Sequence, residues 1–163
     1  MLEVLDLENI LTRENEEAHV SASAWVMNET LDQVLMAYHN IYQSWSWSGG
    51  HADGEGDLLS VAMKEVKEES GLVSLKPLSD SPISIEILGV QPHYKKQKYV
   101  SAHLHLNYTF LLHNTKEEKL KICPEENSKV DWLSPDEAVR SSTEAWMKPI
   151  YKKLNQKMRK YLG

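Results

Sequence analysis

The chain has 163 residues, 41% of them apolar and 26% charged, the balance of a soluble globular protein long enough to bury a core unaided. Its formal net charge of −6 excludes the broad cationic surface that a nucleic-acid duplex or an anionic membrane requires. Cys123 is the only cysteine, no apolar run approaches the roughly 20 residues that span a bilayer, and no cationic, hydrophobic leader is present; a reducing, cytoplasmic setting is therefore expected.

No repeat, low-complexity tract or Pro/Gly/Ser linker divides the chain, so one domain over residues 1–163 is expected. Residues 5–11 suit a short helical turn. Residues 21–28 and 34–38 read as strands joined into a hairpin by the polar turn at 29–32. Residues 42–47 alternate aromatic with small polar side chains, and the glycine-rich run 49–56 reads as a loop. The clearest helix follows over 58–70. Asp57 is a good N-cap, Leu58, Leu59, Ala62 and Val66 form its apolar stripe, and Gly71 supplies its stop.

Residues 76–82 read as a surface loop, and 83–91, 101–113 and 129–133 as strands. Ser134-Pro135-Asp136-Glu137 has helix-start chemistry. A final helix is expected from about Thr143, bent at Pro149, with Lys152, Lys153, Lys157, Arg159 and Lys160 forming a wet basic face around Ile150, Leu154, Met158 and Tyr161. Strands and helices interleaved in this order predict an α/β fold (α+β by a stricter labelling) with a mixed sheet between helices.

The chemistry concentrates on the 58–70 helix. Glu65, Glu68 and Glu69 stand at i, i+3 and i+4, which places three carboxylates on one side of a helix. They also occupy its last two turns, where the dipole disfavours negative charge by roughly 0.3–1 kcal/mol. A solvated face would favour lysine there. Lys64 and Lys67 offset little of the repulsion, because Lys64 before Glu68 is the weaker order for an i, i+4 pair. Hard divalent cations prefer oxygen ligands and bridge a few carboxylates to substrate phosphates, and the glycine loop just upstream lets backbone groups approach a ligand closely.

Gly50 to Leu72 resembles the 23-residue Nudix box, G-x5-E-x7-R-E-U-x-E-E-x-G-U with U aliphatic. Lys64-Glu65-Val66-Lys67-Glu68-Glu69-Ser70-Gly71-Leu72 reproduces its end in register. Lys64 stands for the usual arginine and Gly56 for the first glutamate, so Asp57 with Lys64 is expected to replace the pairing that fixes the loop against the helix. Weaker likeness extends from Leu11-Thr12-Arg13 to Val130-Asp131-Trp132.

The resemblance implies a Nudix-type α/β/α sandwich and hydrolysis of the phosphoanhydride bond of a nucleoside diphosphate linked to a further group. Mg²⁺ or Mn²⁺ is the implied cofactor, held by Glu65, Glu68, Glu69 and the Gly50 carbonyl. Glu126 is a further candidate ligand, and either it or Glu69 the general base. Relatives often dimerise, so a homodimer is a partner expectation.

Around that core, the strand at 101–113 sets Leu104, Leu106, Tyr108, Phe110 and Leu112 on one side and His103, His105, Asn107 and Thr109 on the other. If the polar side faces a cleft, His103 and His105 can bond phosphates or, with His19, bind a transition metal. Tyr42, Trp45 and Trp47 offer rings for stacking on a planar group or for core packing. His51 and Lys64 join Trp45, Trp47, His103 and His105 as candidate substrate contacts. Two rival readings share the fold. An isopentenyl diphosphate isomerase is echoed by Gly50-His51, but Ser48 and Gly49 stand where its cysteine is wanted. A Nudix-fold binding module without turnover is the other.

Overall fold

The centre of the molecule is a strand with no solvent face. The computed structural model describes residues 8–163. Every residue of β1 (Ala18–Met27) is buried, which requires cover on both sides of the sheet. Then come β2 (Val34–His39), β3 (Ser44–Ser46), β4 (Ser48–His51), α1 (Leu58–Ser70), β5 (Leu75–Pro77) and β6 (Ser84–Val90). The chain ends with β7 (His93–Lys95), β8 (Lys98–Val100), β9 (His103–Asn114), β10 (Asn127–Leu133), α2 (Pro135–Ser141) and α3 (Met147–Leu162).

Eight strands form one mixed sheet, ordered β10-β2-β1-β9-β5, with β3 on β2, β4 on β1 and β6 on β9. β1 runs parallel to β9, from Ala18 opposite Leu104 to Met27 opposite His113. The alternation of β1 sorts its side chains between two cores. Ala22, Ala24 and Val26 pack with Val61, Ala62 and Val66 of α1, while Trp25 and Met27 pack with Ala138 of α2 and Tyr151, Leu154 and Met158 of α3. Helices on both faces of a mixed sheet make the expected α/β/α sandwich.

Several boundaries differ from the sequence expectation for identifiable reasons. Part of the 5–11 turn lies outside the described residues; residues 8–11 are turn. The turn at 29–32 does join β1 and β2, but they are in register at Met27 and Val34, and β1 then pairs with β4 from Ala24 opposite Ser48 to Ser21 opposite His51. The glycine run is thus strand through His51, and loop only afterwards. The 76–82 loop begins as β5, paired to the end of β9.

The β7–β8 hairpin was not expected. Its turn uses Lys96 (φ 49°) and Gln97 (φ 64°), so the Asn-Gly signal that usually marks two left-handed residues is missing. α3 starts at Met147, which places Pro149 within the first turn, where an N–H has no intrahelical partner to lose.

The basic face of α3 is wet except at Lys153, which is half-buried, although several of its cations have partners. Lys153 pairs with Glu86, Lys157 Nζ donates to the Ile83 carbonyl at 2.6 Å, and Arg159 contacts Asp136 at 3.1 Å. Lys152, Lys157, Arg159 and Lys160 are all exposed. Among the described residues no helix is long and apolar enough to cross a membrane.

Candidate active site

α1 begins and ends as its chemistry dictates. Asp57 accepts from Ser60 N at 3.2 Å and from Ser60 Oγ at 2.7 Å, satisfying an otherwise unpaired donor of the first turn. Gly71 takes the left-handed conformation (φ 75°), and its N–H bonds the Lys67 carbonyl, so the helix stops one residue after its glutamates.

β4 then determines where those glutamates sit. A Cβ on Gly50 would stand 2.3 Å from Cδ of Glu65 and 2.6 and 2.7 Å from its carboxylate oxygens. The missing side chain is therefore what admits Glu65 to the strand. Gly49 is equally constrained, since its Cβ would meet Ser23 Oγ at 2.5 Å and the Ala22 carbonyl at 2.8 Å.

Glu126 reaches the same cleft from the loop before β10. Asn127 ties that loop to α1, donating from Nδ2 to the Glu69 carbonyl at 2.9 Å and accepting from Cys123 N at 3.1 Å. The Glu126 carbonyl accepts from Asn40 N at 2.9 Å, and its carboxylate lies 3.6 Å from Lys95 Nζ on β7.

The cleft has a volume of about 950 Å³ and brings together Gly50, Glu65, Glu68, Glu69 and Glu126. Ser21, Ser23 and Asn107 also line it. Both serine hydroxyls donate to Asn107 Oδ1, at 3.0 and 2.8 Å, and Asn107 Nδ2 donates to Thr109 Oγ1 at 3.1 Å. The polar side of β9 thus faces the cleft with its buried groups satisfied. His19, His51, His103 and His105 line the cleft as well, and Trp47 and Tyr42 contribute rings.

Burial dominates the electrostatics. It pushes the Glu69 carboxyl up to about 8, reinforced by Glu65 and Glu126 and opposed by the otherwise unpartnered Ser48 hydroxyl and the Gly49 N–H. Glu65 is also raised, by burial and then by Glu68. Burial lowers His51 to about 4, helped by Arg13 and His19; His105 is lowered by burial and by its neighbouring imidazoles.

These shifts predict how the cation-free protein responds to pH. A raised carboxyl holds its proton longer in the folded state, so its contribution to stability is complete below pH 4.5 and lost as pH rises through about 8. The lowered His51 acts oppositely, but only between about 4 and 6.5. From pH 6.5 to 8 the glutamates should therefore dominate among these groups, and stability in urea melts should fall with rising pH. Glu69→Gln should flatten that slope; an unchanged slope would remove Glu69 as its source.

The family model of the NUDIX domain matches residues 17–154 of this chain. The chain belongs to the Nudix family. It is accordingly a hydrolase acting on acid anhydrides in phosphorus-containing substrates, of the kind found in nucleotides.

Solved Nudix structures share the fold. An Ap4A hydrolase of C. elegans in a binary complex superposes with a TM-score of 0.63 at 18% identity, over 84% of this chain and 95% of that one. A NUDIX-family hydrolase of Clostridium perfringens gives 0.62 at 16%, over 86% and 96%. The dihydroneopterin triphosphate pyrophosphohydrolase of E. coli gives 0.58 at 17%, over 82% and 92%. At such identities the likeness is one of fold. No curated protein matches the chain.

Within the Nudix box the expected Asp57–Lys64 pairing is not made. Asp57 is committed to Ser60, and Lys64 instead lies 3.8 Å from Glu68, with both side chains more than half exposed, an arrangement worth at most a few tenths of a kcal/mol. The loop is held from the other direction. Arg13 forks onto Asp53 at 2.8 and 2.9 Å, Gly54 N bonds the Leu11 carbonyl and Ala52 N the Val20 carbonyl. Arginine's planar fork reappears, supplied by a segment outside the box. Gly56 has no heavy atom within 4 Å of a Cβ position, so no crowding accounts for the missing glutamate.

Trp45 does not line the cleft. It packs against the α2–α3 core and sets its ring edge to face with Tyr38, 5.8 Å between centroids, within β3, whereas Trp47 stands at the break between β3 and β4. Lys64 lies at the cleft margin. Lys95, His93 and Tyr99 on the β7–β8 hairpin, together with His39, Glu144 and Trp146, also line the cleft without having been expected there from the sequence. Paired aromatics flanking Lys95-Lys96-Gln97-Lys98 were the available signal for the hairpin.

Proposed function

We propose that this Nudix protein is a Mg²⁺- or Mn²⁺-dependent hydrolase, a single catalytic domain that splits the diphosphate bond of a nucleoside diphosphate linked to a further group, or of a related organic diphosphate. The observation that carries the reading is the approach of Glu65 to Gly50. The strand is shaped to receive a carboxylate that burial and neighbouring negative charge make uncomfortable, and an oxygen-rich set of this kind fits a hard divalent cation. Glu65, Glu68, Glu69 and Glu126, with the Gly50 carbonyl, are the groups that would hold it. When bound, such a cation supplies neutralisation of phosphate charge and acidification of the attacking water.

The chain's own residues account for the rest. Glu69, buried in the cleft beside Glu65, is the first candidate for the general base that takes the proton of the attacking water. Glu126 is the second candidate, held over the cleft by Asn127 and Asn40. Lys95, beside Glu126, offers a cation to substrate phosphate. The serines and Asn107 present a polar surface, Trp47, Tyr42 and Trp146 offer rings for a planar group, and a cleft of about 950 Å³ is large enough for a nucleotide. No cysteine lines the cleft among the described residues, which favours hydrolysis over the isomerase reading.

The test is phosphate release by the full chain from nucleoside triphosphates, nucleotide sugars, dinucleotides and non-nucleotide diphosphates, with and without Mg²⁺ or Mn²⁺. Turnover of at least one class only with cation is expected, together with a rise in melting temperature as cation is added. Cation-independent turnover would overturn the metal-dependent reading, and no turnover across the panel would leave the binding-module reading in its place.

A further inference from the structure

Three strands deliver four imidazoles to one point. β1 brings His19, β4 brings His51 and β9 brings His103 and His105. The pairings Ser21–His51 and His19–His105 set these side chains together on one face of the sheet. One ring nitrogen from each lies within 4.8 Å of those of all the others. We infer that His19, His51, His103 and His105 form a second metal site, distinct in chemistry from the glutamate set, for a late first-row divalent ion of the Zn²⁺ type.

His19 is the strongest single observation. It is 4% exposed, and its Nε2 is buried without a hydrogen-bond partner, an arrangement that is unfavourable unless something binds there. Its Nδ1 lies 3.0 Å from the Asn15 carbonyl. A carbonyl only accepts, so this nitrogen carries the proton and the orphan Nε2 carries the lone pair.

His103 repeats the device, with Nδ1 2.8 Å from the Ser101 carbonyl and Nε2 3.1 Å from Nε2 of His105. Backbone carbonyls that set the tautomer of a histidine are the usual outer partners of metal-binding imidazoles. Without an ion, His105 donates to His103; a tautomeric shift of that proton to Nδ1 frees both nitrogens, so the ring stays neutral.

Four neutral nitrogens suit Zn²⁺, Ni²⁺, Co²⁺ or Cu²⁺ and are poor ligands for Mg²⁺, which prefers oxygen. Tetrahedral Zn–N bonds of 2.0–2.1 Å put the ligand atoms about 3.3 Å apart, so the widest pair would draw together by roughly 1.5 Å. Arg13 and Asp53 already neutralise one another nearby, leaving the imidazoles as the donor set. A site closed by four protein ligands has no open position. The ion therefore acts as a brace across β1, β4 and β9, and through His51 it steadies the adjacent Gly50.

The experiment titrates the chelator-stripped full chain with Zn²⁺ by calorimetry in excess Mg²⁺, and with Co²⁺ by visible absorption. One Zn²⁺ per chain, a tetrahedral Co²⁺ spectrum and a raised melting temperature are expected. His103→Gln and His105→Gln should each weaken Zn²⁺ binding by about 10- to 100-fold or more, whereas Glu68→Gln should leave it unchanged. Equal Zn²⁺ affinity in native and histidine-substituted chains overturns the site. On the native protein, Zn²⁺ should shift the imidazole resonances of His19, His51, His103 and His105 and leave those of His39, His93 and His113 in place; the converse also overturns it. Loss of Mg²⁺-dependent hydrolysis in Glu68→Gln with Zn²⁺ binding intact separates this site from the catalytic reading, since each can fail alone.

Discussion

Glu69→Gln is expected to lower kcat/KM by about 10²- to 10⁴-fold, the range associated with losing a positioned acid or base, while the fold survives. The substitution keeps size and hydrogen-bonding reach and removes only the charge. Glu69 sits under the Ser48 hydroxyl and the Gly49 N–H, and its backbone carbonyl holds Asn127; the main-chain contact is untouched by the change. Removing a buried carboxyl held near 8 relieves an unfavourable charge, so the cation-free variant should unfold no more easily than the native chain above pH 7. Activity and stability should therefore move apart. Steady-state kinetics beside urea melts would show it, and a variant retaining more than a tenth of native kcat/KM would strip Glu69 of its role.

The second large effect is expected at neighbouring glycines that do different work. Gly50→Ala would press its methyl into the Glu65 carboxylate, 2.3 Å from Cδ. The obstacle is the end of a flexible side chain, so Glu65 can swing aside at little cost to folding. A displacement of about 1 Å in catalytic groups typically costs about 10²-fold in rate, and that loss is predicted for kcat. Gly49→Ala meets backbone instead, the Ala22 carbonyl at 2.8 Å and Ser23 Cα at 3.0 Å. It should destabilise the protein by about 1–3 kcal/mol, the cost of overpacking a tight contact. The pair is decisive when kinetics and denaturant midpoints are measured together: equal effects of the two alanines on both quantities would refute the assignment of separate roles.

What could be read from the sequence was local. The α1 boundaries, the Asp57 cap and the Gly71 stop follow from side chains acting within one or two turns, and the three glutamates share a face through helical spacing alone. The expectation that Asp57 would pair with Lys64 failed because a stronger local option, the Ser60 backbone and hydroxyl, was already within reach.

What could not be read depends on strands meeting across the sheet. His103 and His105 show their alternation, but nothing along the chain announces that β4 carries His51 to the same place; only the Ser21–His51 pairing does. Trp45 and Trp47 both pack against the α2–α3 core, and their i, i+2 spacing does not announce that Trp47 alone of the two also lines the cleft. The β7–β8 hairpin, with its left-handed lysine and glutamine, lacks the turn residues by which hairpins are normally found.

The parallel pairing of residues 18–27 with residues 104–113 has a consequence for biosynthesis. As the polypeptide emerges from the ribosome, its buried central segment has no lasting partner on that side until more than a hundred residues have been translated. Contacts so distant along the chain close slowly, because the entropy of the intervening loop must be surrendered first. A nascent fragment ending before residue 104 would contain the whole glutamate-bearing helix yet expose a long apolar ribbon, so the interval before β9 emerges is when this polypeptide most needs protection from self-association.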